Sequence, residues 1–356
     1  MRIAIAAGGT AGHVVPALAI AGALRARGAE VEFLGGERAE AELVPAAGYP
    51  FHRLSVAGLD RSNPLRAARA AALAAGAART ARRALRRMGA DAVIGGGGYV
   101  AGPVGLAAVS LRLPLFLTEA DSHLGVANRL LAPAARRVFL AFPLAGRDGP
   151  RYEVTGRPIP SGTGSADREA ARRRFGLPGG PCLLVFGGSI GARTINEAAL
   201  EAFGREPPCV VLHASGSRDY PVLSERLEAL GRPSHYRLVE YVEPFADALA
   251  AADLAVARAG GSIFELAASG LPSILVPYPY ATAAHQETNA RWMADGGGAV
   301  VVPDAELSAD RLRSEVVALL EAPDRLSSMS AAARRIARPD AADRIAEQVL
   351  RLAAGR

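Results

Sequence analysis

His13 stands at the mouth of a glycine-rich turn, Gly8-Gly9-Thr10-Ala11-Gly12-His13, which follows the apolar run Arg2-Ile3-Ala4-Ile5-Ala6-Ala7 and opens a helix-period segment. The unpaired N–H groups and partial positive charge of a helix start disfavour imidazolium, which keeps a histidine there neutral and able to accept a proton. The position also suits a plain helix cap; the glycine context favours a general base. A second turn, Gly187-Gly188-Ser189-Ile190-Gly191-Ala192, follows Cys182-Leu183-Leu184-Val185-Phe186. Glycines let a backbone come close to a ligand, and the helix behind them directs amides at an anion. One such turn says little. Two, about half a chain apart, predict two α/β halves facing each other across a cleft with a phosphorylated ligand between them.

Three further constellations carry polar groups at usable spacing. Gly95-Gly96-Gly97-Gly98-Tyr99-Val100-Ala101-Gly102-Pro103 reads equally as a place for a substrate to approach the backbone and as a tight strand-to-helix corner. Arg258-Ala259-Gly260-Gly261-Ser262-Ile263-Phe264-Glu265 follows the strand-like run Leu254-Ala255-Val256-Ala257. A helix starting near Ser262 aims N–H groups at a phosphate, and Glu265 in its first turn could accept hydrogen bonds from a ribose diol. The bland alternative for Glu265 is an acid favoured by the helix dipole alone. His285-Gln286-Glu287-Thr288-Asn289-Ala290 follows Pro277-Tyr278-Pro279-Tyr280. Gln286 and Asn289 share a helix face, and an amide suits a sugar hydroxyl, although spacing alone favours a solvated helix start.

Composition narrows the chemistry. All 41 basic residues are arginine and the chain has no lysine, which excludes a P-loop lysine, a Schiff-base lysine and a pyridoxal phosphate anchor. Any phosphate must be held by backbone, arginine, hydroxyls or histidine, and the net charge of +6 suits an anionic ligand or membrane surface. The six histidines are scattered and no Asp-x-Asp pair is present, so no metal is expected; a leaving diphosphate would rely on helix ends and arginines. Cys182 and Cys209 sit in apolar runs and read as buried free thiols of a reducing compartment. No apolar run approaches the ~20 residues of a membrane span, and the first residues run directly into a strand, so a cytosolic protein that could touch a membrane is expected. Between Arg61 and Arg87 there are eight arginines and no acid, with Arg79, Arg82, Arg83, Arg86 and Arg87 at helical spacing. A solvated helix face is the usual meaning of such a run; the sharper one is a patch for an anionic bilayer or a lipid pyrophosphate. Nucleic acid is disfavoured because interleaved aromatics are missing.

These groups need elements to position them. With 356 residues the chain suggests two domains, and with 50% hydrophobic but only 5% aromatic residues the packing falls to alanine, leucine and valine. Strand-like runs cover 2–7, 30–35, 51–55, 91–95, 114–118, 137–141 and 152–155, then 181–186, 208–213, 236–240, 253–257, 273–277 and 299–302. Helix-period segments such as 14–27, 64–88, 194–203 and 262–269 fill the gaps. The βαβα order predicts parallel sheets covered on both faces, with ligands beyond the carboxyl ends of the strands. Residues 155–164, Thr155-Gly156-Arg157-Pro158-Ile159-Pro160-Ser161-Gly162-Thr163-Gly164, read as a linker. The last helix, near 340–353, either packs on the second domain or crosses back to the first.

Together the motifs at 8–13, 95–103, 187–192, 258–265 and 285–290 resemble, in order and spacing and over essentially the whole chain, the bacterial UDP-N-acetylglucosamine:lipid I N-acetylglucosaminyltransferases of glycosyltransferase family 28. The resemblance implies a GT-B fold of two Rossmann-like α/β domains. Residues 1–156 plus 340–356 would form the acceptor- and membrane-facing domain, and 157–339 the UDP-sugar-binding domain. It implies inverting transfer from UDP-N-acetylglucosamine to lipid I, giving lipid II, without cofactor or metal, by a peripheral protein on the anionic cytoplasmic face of the plasma membrane. Thr10, Ala11 and Gly12 would line the donor sugar and diphosphate, and His13 would deprotonate the acceptor C4 hydroxyl. Ser189 would contact the diphosphate and Val242 the uracil edge. Gly261, Ser262, Ile263 and Phe264 would supply the helix start near the phosphates, Glu265 would bind the ribose, and Gln286 the sugar hydroxyls.

Some positions depart from the family pattern. Ala11 replaces a glycine. The family's His-Glu-Gln-Asn reads Thr118-Glu119-Ala120-Asp121, which puts Asp121 in place of an amide, while Asn128 matches a family asparagine. The family's linker arginine falls at Pro160, with Arg157 as candidate substitute. The 258–265 loop is one residue shorter than in the best-known members, and the arginine-rich helix lacks their aromatics, so membrane binding would lean on arginine. The rivals are another GT-B UDP-sugar enzyme, such as a glycolipid or natural-product glycosyltransferase or a UDP-N-acetylglucosamine 2-epimerase, and a non-catalytic nucleotide-sugar sensor or membrane scaffold.

Overall fold

The computed structural model describes residues 1–56, 64–188, 190–206, 208–281 and 284–355, the side chains of 64–74 excepted. They form two compact units, Met1–Ser161 with Arg338–Arg356, and Gly162–Ala337. In the first, the strands are β1 (Arg2–Ala6), β2 (Glu30–Gly35), β3 (Phe51–Arg53), β4 (Ala92–Gly95), β5 (Leu115–Glu119), β6 (Arg137–Leu140) and β7 (Tyr152–Val154). All are parallel, in the order β3-β2-β1-β4-β5-β6-β7, with Ile3 level with Val31 on one side and Ala92 on the other. Strands buried on both faces read as unbroken apolar runs, and Ile3, Ala4, Ile5 and Ala6 are wholly inaccessible.

Helices α1 (Ala11–Ala26), α2 (Glu40–Ala46), α3 (Pro64–Arg87), α4 (Gly98–Ser110) and α5 (Val126–Leu131) connect these strands. On one face Ile3, Ile5, Phe33 and Phe116 meet Ile20 and Leu24 of α1 and Val44 of α2; on the other Ala4, Leu34, Val93 and Leu117 meet Ala81 and Leu85 of α3 and Val104 of α4. The α1 face also takes Ile345, Ala346 and Val349 of the last helix, Ala341–Ala354. Its apolar residues recur every three or four positions, and Arg27 pairs with Asp343 at 2.7 Å across the join.

The second unit holds β8 (Cys182–Phe186), β9 (Val210–Ala214), β10 (Tyr236–Val239), β11 (Leu254–Ala257), β12 (Ser273–Leu275) and β13 (Ala299–Val301), parallel in the order β10-β9-β8-β11-β12-β13. Its helices are α6 (Arg168–Phe175), α7 (Arg193–Phe203), α8 (Tyr220–Ala229), α9 (Phe245–Ala251), α10 (Ile263–Ser269), α11 (His285–Asp295), α12 (Ala309–Leu320) and α13 (Pro323–Ile336), which makes the last helix of the first unit α14. Leu183, Val185, Val211 and Val256 pack against Ile195 and Phe203 of α7 and Leu312 and Val316 of α12. Both sheets are doubly wound, and their strand order reverses between β1 and β4 and between β8 and β11. The glycine turns follow those strands, at the switch points where such sheets leave a crevice for ligands.

The predicted strands fall where the apolar runs put them. Helix α1 begins at Ala11 rather than at 14, which brings His13 inside its first turn. Cys182 and Cys209 are buried free thiols, pushed up to about 11 and about 12 by burial. Among the described residues no helix is long and apolar enough to cross a membrane.

Candidate active site

In the first unit the β1–α1 turn is shaped by what surrounds it. Gly98 has φ +75°, and a Cβ there would collide with the carbonyl of Gly8, so the β4–α4 corner lies directly on the first glycine turn. The His13 ring fills the space between them: a Cβ on Gly97 would stand 2.7 Å from its Cδ2. Thr10 Oγ1 and His13 Nδ1 are 3.5 Å apart, at the limit of a hydrogen bond. Pro16, inside α1, lacks the N–H that would bond the carbonyl of Gly12, and the Arg157 guanidinium donates to that carbonyl instead. Arg157 also donates to the carbonyl of Ala120 at 3.2 Å, tying the β5–α5 loop to the turn.

Burial moves the His13 pKa below its ordinary 6.5; Asp121 opposes the shift, Arg157 adds to it and Glu40 opposes it. The ring is therefore neutral at pH 7, with desolvation as the main cause rather than the helix dipole considered from sequence. Thr10, Ala11, Gly12, His13 and Asp121 thus gather at the carboxyl ends of β1 and β5. Asn128 is buried beneath them and turned inward: its Nδ2 donates to the carbonyl of Thr118 and to Glu119 Oε2, both at 2.9 Å. Burial raises the pKa of Glu119, against the bonds it accepts from Gly125, Asn128 and Asp121.

Sequence reasoning missed Glu40. Its carboxylate is fully buried and accepts bonds from the Gly9 amide, the Gly36 amide and the Tyr99 hydroxyl, each at 2.9 Å. In sequence it reads as an ordinary acid of a helix first turn. The only local signal is its closeness to Gly35-Gly36.

In the second unit Ser189 lies outside the described residues. Around it, Gly191 (φ +89°) presses on the carbonyl of Ser215, where a Cβ would collide. Buried Asn196 of α7 holds this junction through Nδ2, which donates to Ser215 O and Asp219 Oδ2, both at 2.9 Å. Its Oδ1 lies 3.0 Å from Nε2 of His213, whose Nδ1 lies 2.8 Å from the Tyr236 hydroxyl. Arg218 grips Asp219 with two bonds of 2.8 Å. Burial brings His213 down to about 3, so it stays neutral. A histidine closing the apolar strand Val210-Val211-Leu212-His213-Ala214 was the available signal for this network.

Across the switch point, α10 begins at Ile263, and the Ile263 and Phe264 amides donate to the carbonyls of Gly260 and Gly261 over 3.3 Å. Gly261, Ser262 and Glu265 are half-buried at this start, whereas the Phe264 ring packs on Trp292 with centroids 5.0 Å apart. Arg258 is buried and committed to the carbonyl of Val276 (3.1 Å) and to Asp304, so it braces the loop. Asn289 does the same by donating to the carbonyl of Ala259 at 2.9 Å. Gln286 accepts from the Tyr278 amide at 2.9 Å, which fixes its side chain near the end of β12. Val242 is half-buried in the loop between β10 and α9. Among the described residues no group of three or more His, Cys, Asp or Glu side chains could hold a metal ion.

Comparison with known proteins gives this geometry a family. Residues 3–140 match the glycosyltransferase family 28 N-terminal domain and residues 182–345 its C-terminal domain. The chain is 42% identical over 353 residues, 98% of each chain, to the UDP-N-acetylglucosamine--N-acetylmuramyl-(pentapeptide) pyrophosphoryl-undecaprenol N-acetylglucosamine transferase of Methylococcus capsulatus. It is also 42% identical over 366 residues, 99% of each chain, to the enzyme of that name from Moorella thermoacetica. The crystal structure of Acinetobacter baumannii MurG superposes with a TM-score of 0.78 at 29% identity, covering 98% of this chain and 99% of that one. A UDP-GlcNAc 2-epimerase from Neisseria meningitidis, bound to UDP-GlcNAc, reaches 0.70 at 14% identity over 99% of this chain and 100% of that one, and shares the GT-B fold alone. By sequence over its full length and by fold, this chain belongs to glycosyltransferase family 28 and, within it, to the UDP-N-acetylglucosamine–N-acetylmuramyl-(pentapeptide) pyrophosphoryl-undecaprenol N-acetylglucosamine transferases.

Proposed function

We propose that this chain transfers N-acetylglucosamine from UDP-N-acetylglucosamine to the C4 hydroxyl of the N-acetylmuramoyl-pentapeptide of lipid I, forming lipid II for peptidoglycan with inversion at the anomeric carbon. The observation that carries the reading is the 42% identity, along the whole chain, to enzymes named for that transfer. The first unit takes the acceptor and the second the nucleotide sugar. Neutral His13 removes the acceptor proton as its oxygen attacks the anomeric carbon from the face opposite UDP. Thr10, Ala11 and Gly12 line the sugar and diphosphate, with Asp121 beside them; Asn128 fixes their floor. Amides of the 187–192 turn with Ser189, and of the α10 start from Gly261 to Phe264, stabilise the departing UDP. Glu265 binds the ribose, Val242 the uracil edge, and Gln286 the N-acetylglucosamine hydroxyls.

The protein works as a peripheral enzyme on an anionic cytoplasmic membrane surface. Supporting this, Arg79, Arg83, Arg86 and Arg87 project from α3 into solvent while Ala77, Ala81, Leu85 and Met88 face the core. Each such cation near an anionic surface contributes about 1 kcal/mol.

A UDP-release assay with a lipid I analogue, with and without chelator, tests the reading. UDP should appear only when the acceptor is present and should be insensitive to chelator. His13→Ala should lower kcat by about 10²–10⁴-fold with little change in UDP affinity. Free 2-epimerised sugar, or a turnover abolished by chelator, would refute it.

A further inference from the structure

We propose that Glu40 is a positioning residue for His13, its buried carboxylate joining the β1–α1, β2–α2 and β4–α4 turns into one frame around the imidazole. The inference rests on the reading of His13 as the base. A carboxylate with no exposed surface is costly unless donors replace its water. Here the donors come from three turns far apart in sequence: Gly9 N–H to Oε2, and Gly36 N–H and Tyr99 O–H to Oε1. An acid placed only to complement a helix dipole would sit in water and bridge nothing.

The surrounding glycines fit the same account. A Cβ on Gly8 would stand 2.9 Å from Glu40 Oε1, and one on Gly36 would stand 3.1 Å from that oxygen and collide with the Tyr99 hydroxyl. Part of the glycine content of the turns therefore admits Glu40 and Tyr99 rather than a ligand. The carboxylate reaches the imidazole by two routes. Its bond to Gly9 holds the segment whose Cβ position lies 3.8 Å from His13 Nδ1. Its bond to Tyr99 holds the corner carrying Gly97, whose Cβ position lies 2.7 Å from His13 Cδ2.

Charge supports the geometry. Burial pushes the Glu40 carboxyl up, but its bonds from Gly9, its own amide, Tyr99 and Gly36 outweigh that and hold it below the usual range. The charged groups acting on His13 are Asp121 and Glu40, which raise its pKa, and Arg157, which lowers it.

Glu40→Gln separates positioning from folding. The amide keeps the shape, but its NH₂ at the Oε2 position meets the Gly9 N–H donor to donor, so that bond is lost while the Gly36 and Tyr99 bonds remain. The His13 ring should then titrate at lower pH than in the wild type, followed by NMR. Transfer to the lipid I analogue should fall by about 10–100-fold in kcat, the scale of a displaced catalytic group, with the KM for UDP-N-acetylglucosamine within about twofold. Tyr99→Phe removes one donor and keeps the charge. It should lower kcat less and shift the His13 ring resonances without moving their titration, and it carries the test if the glutamine variant fails to fold. A folded Glu40→Gln protein with wild-type kcat and His13 titration, or a Tyr99→Phe protein with wild-type kinetics and ring resonances, overturns the proposal. The NMR titration does not depend on turnover, so a wild-type protein without transferase activity would refute the functional reading and leave the coupling of Glu40 to His13 to be read separately.

Discussion

Burial pushes two histidines in the same direction, and their surroundings give them different consequences. His13 keeps some access to solvent, so its lowered pKa sets a working range. The acidic limb of kcat/KM should lie below pH 6.5, activity being lost only once the ring protonates; a limb above pH 6.5 would mean another group is the base. His213 is sealed in the second sheet and brought down to about 3. The unfolded chain binds a proton near pH 6.5 that the folded chain refuses, so the unfolded state gains protons as pH falls. The stability this group contributes is complete above pH 6.5 and is lost on acidification, at about 1.4 kcal/mol per pH unit between pH 6.5 and about 3. Urea unfolding at pH 7 and pH 5 should show this slope in the wild type and a shallower one in His213→Gln. Equal slopes would show that the ring protonates without unfolding its strand.

Buried polar side chains brace these turns: Glu40 bonds the first directly, Asn196 holds the Ser215 carbonyl on which Gly191 of the second presses, and Asn289 bonds the loop that opens α10. Asn196→Ala would leave the carbonyl of Ser215, Asp219 and His213 short of a partner, at about 1–3 kcal/mol for a buried group left unsatisfied. The variant should unfold at lower urea concentration and bind UDP more weakly while the His13 titration stays in place; unchanged UDP affinity would confine Asn196 to stability. These supports explain what the sequence could and could not disclose. Strands such as Ile3-Ala4-Ile5-Ala6 are legible because burial on both faces demands unbroken apolar residues, and the turns because glycine marks close approach. The start of α1 is less legible because Gly12 is a poor helix former. Partners are hidden by distance along the chain: Glu40 looks like a surface acid until Gly9 and Tyr99 fold onto it, and nothing near Arg258 in the sequence announces its pairing with Asp304. Asn128, proposed through the family resemblance, donates its amide to Glu119 and Thr118, partners that the sequence does not disclose.

At the scale of the molecule, the connectivity makes the two units unequal. The second, Gly162–Ala337, is one continuous stretch with its own sheet and core, whereas the first draws on both ends of the chain. Its α1 face is completed by Ile345, Ala346 and Val349 of α14, each fully buried beside Ile20 and Leu24. Burying an aliphatic side chain of valine or isoleucine size contributes about 1.5–3 kcal/mol, and whole domains hold only about 5–15 kcal/mol in reserve. Removing α14 therefore takes away a large share of the first unit's stability, whereas the second unit has its own core around Leu183, Ile195 and Leu312. A chain ending at Ala337 should lose the cooperative unfolding transition of the first unit and with it all transfer to acceptor. Residues 162–337 expressed alone should fold and bind UDP, with a weaker hold on UDP-N-acetylglucosamine than the full chain because Thr10, Ala11 and Gly12 are missing. Two-dimensional NMR and urea titration of the full chain, 1–337 and 162–337 check this. Persistence in 1–337 of first-unit resonances with an unchanged midpoint would mean that α14 covers a face already stable without it.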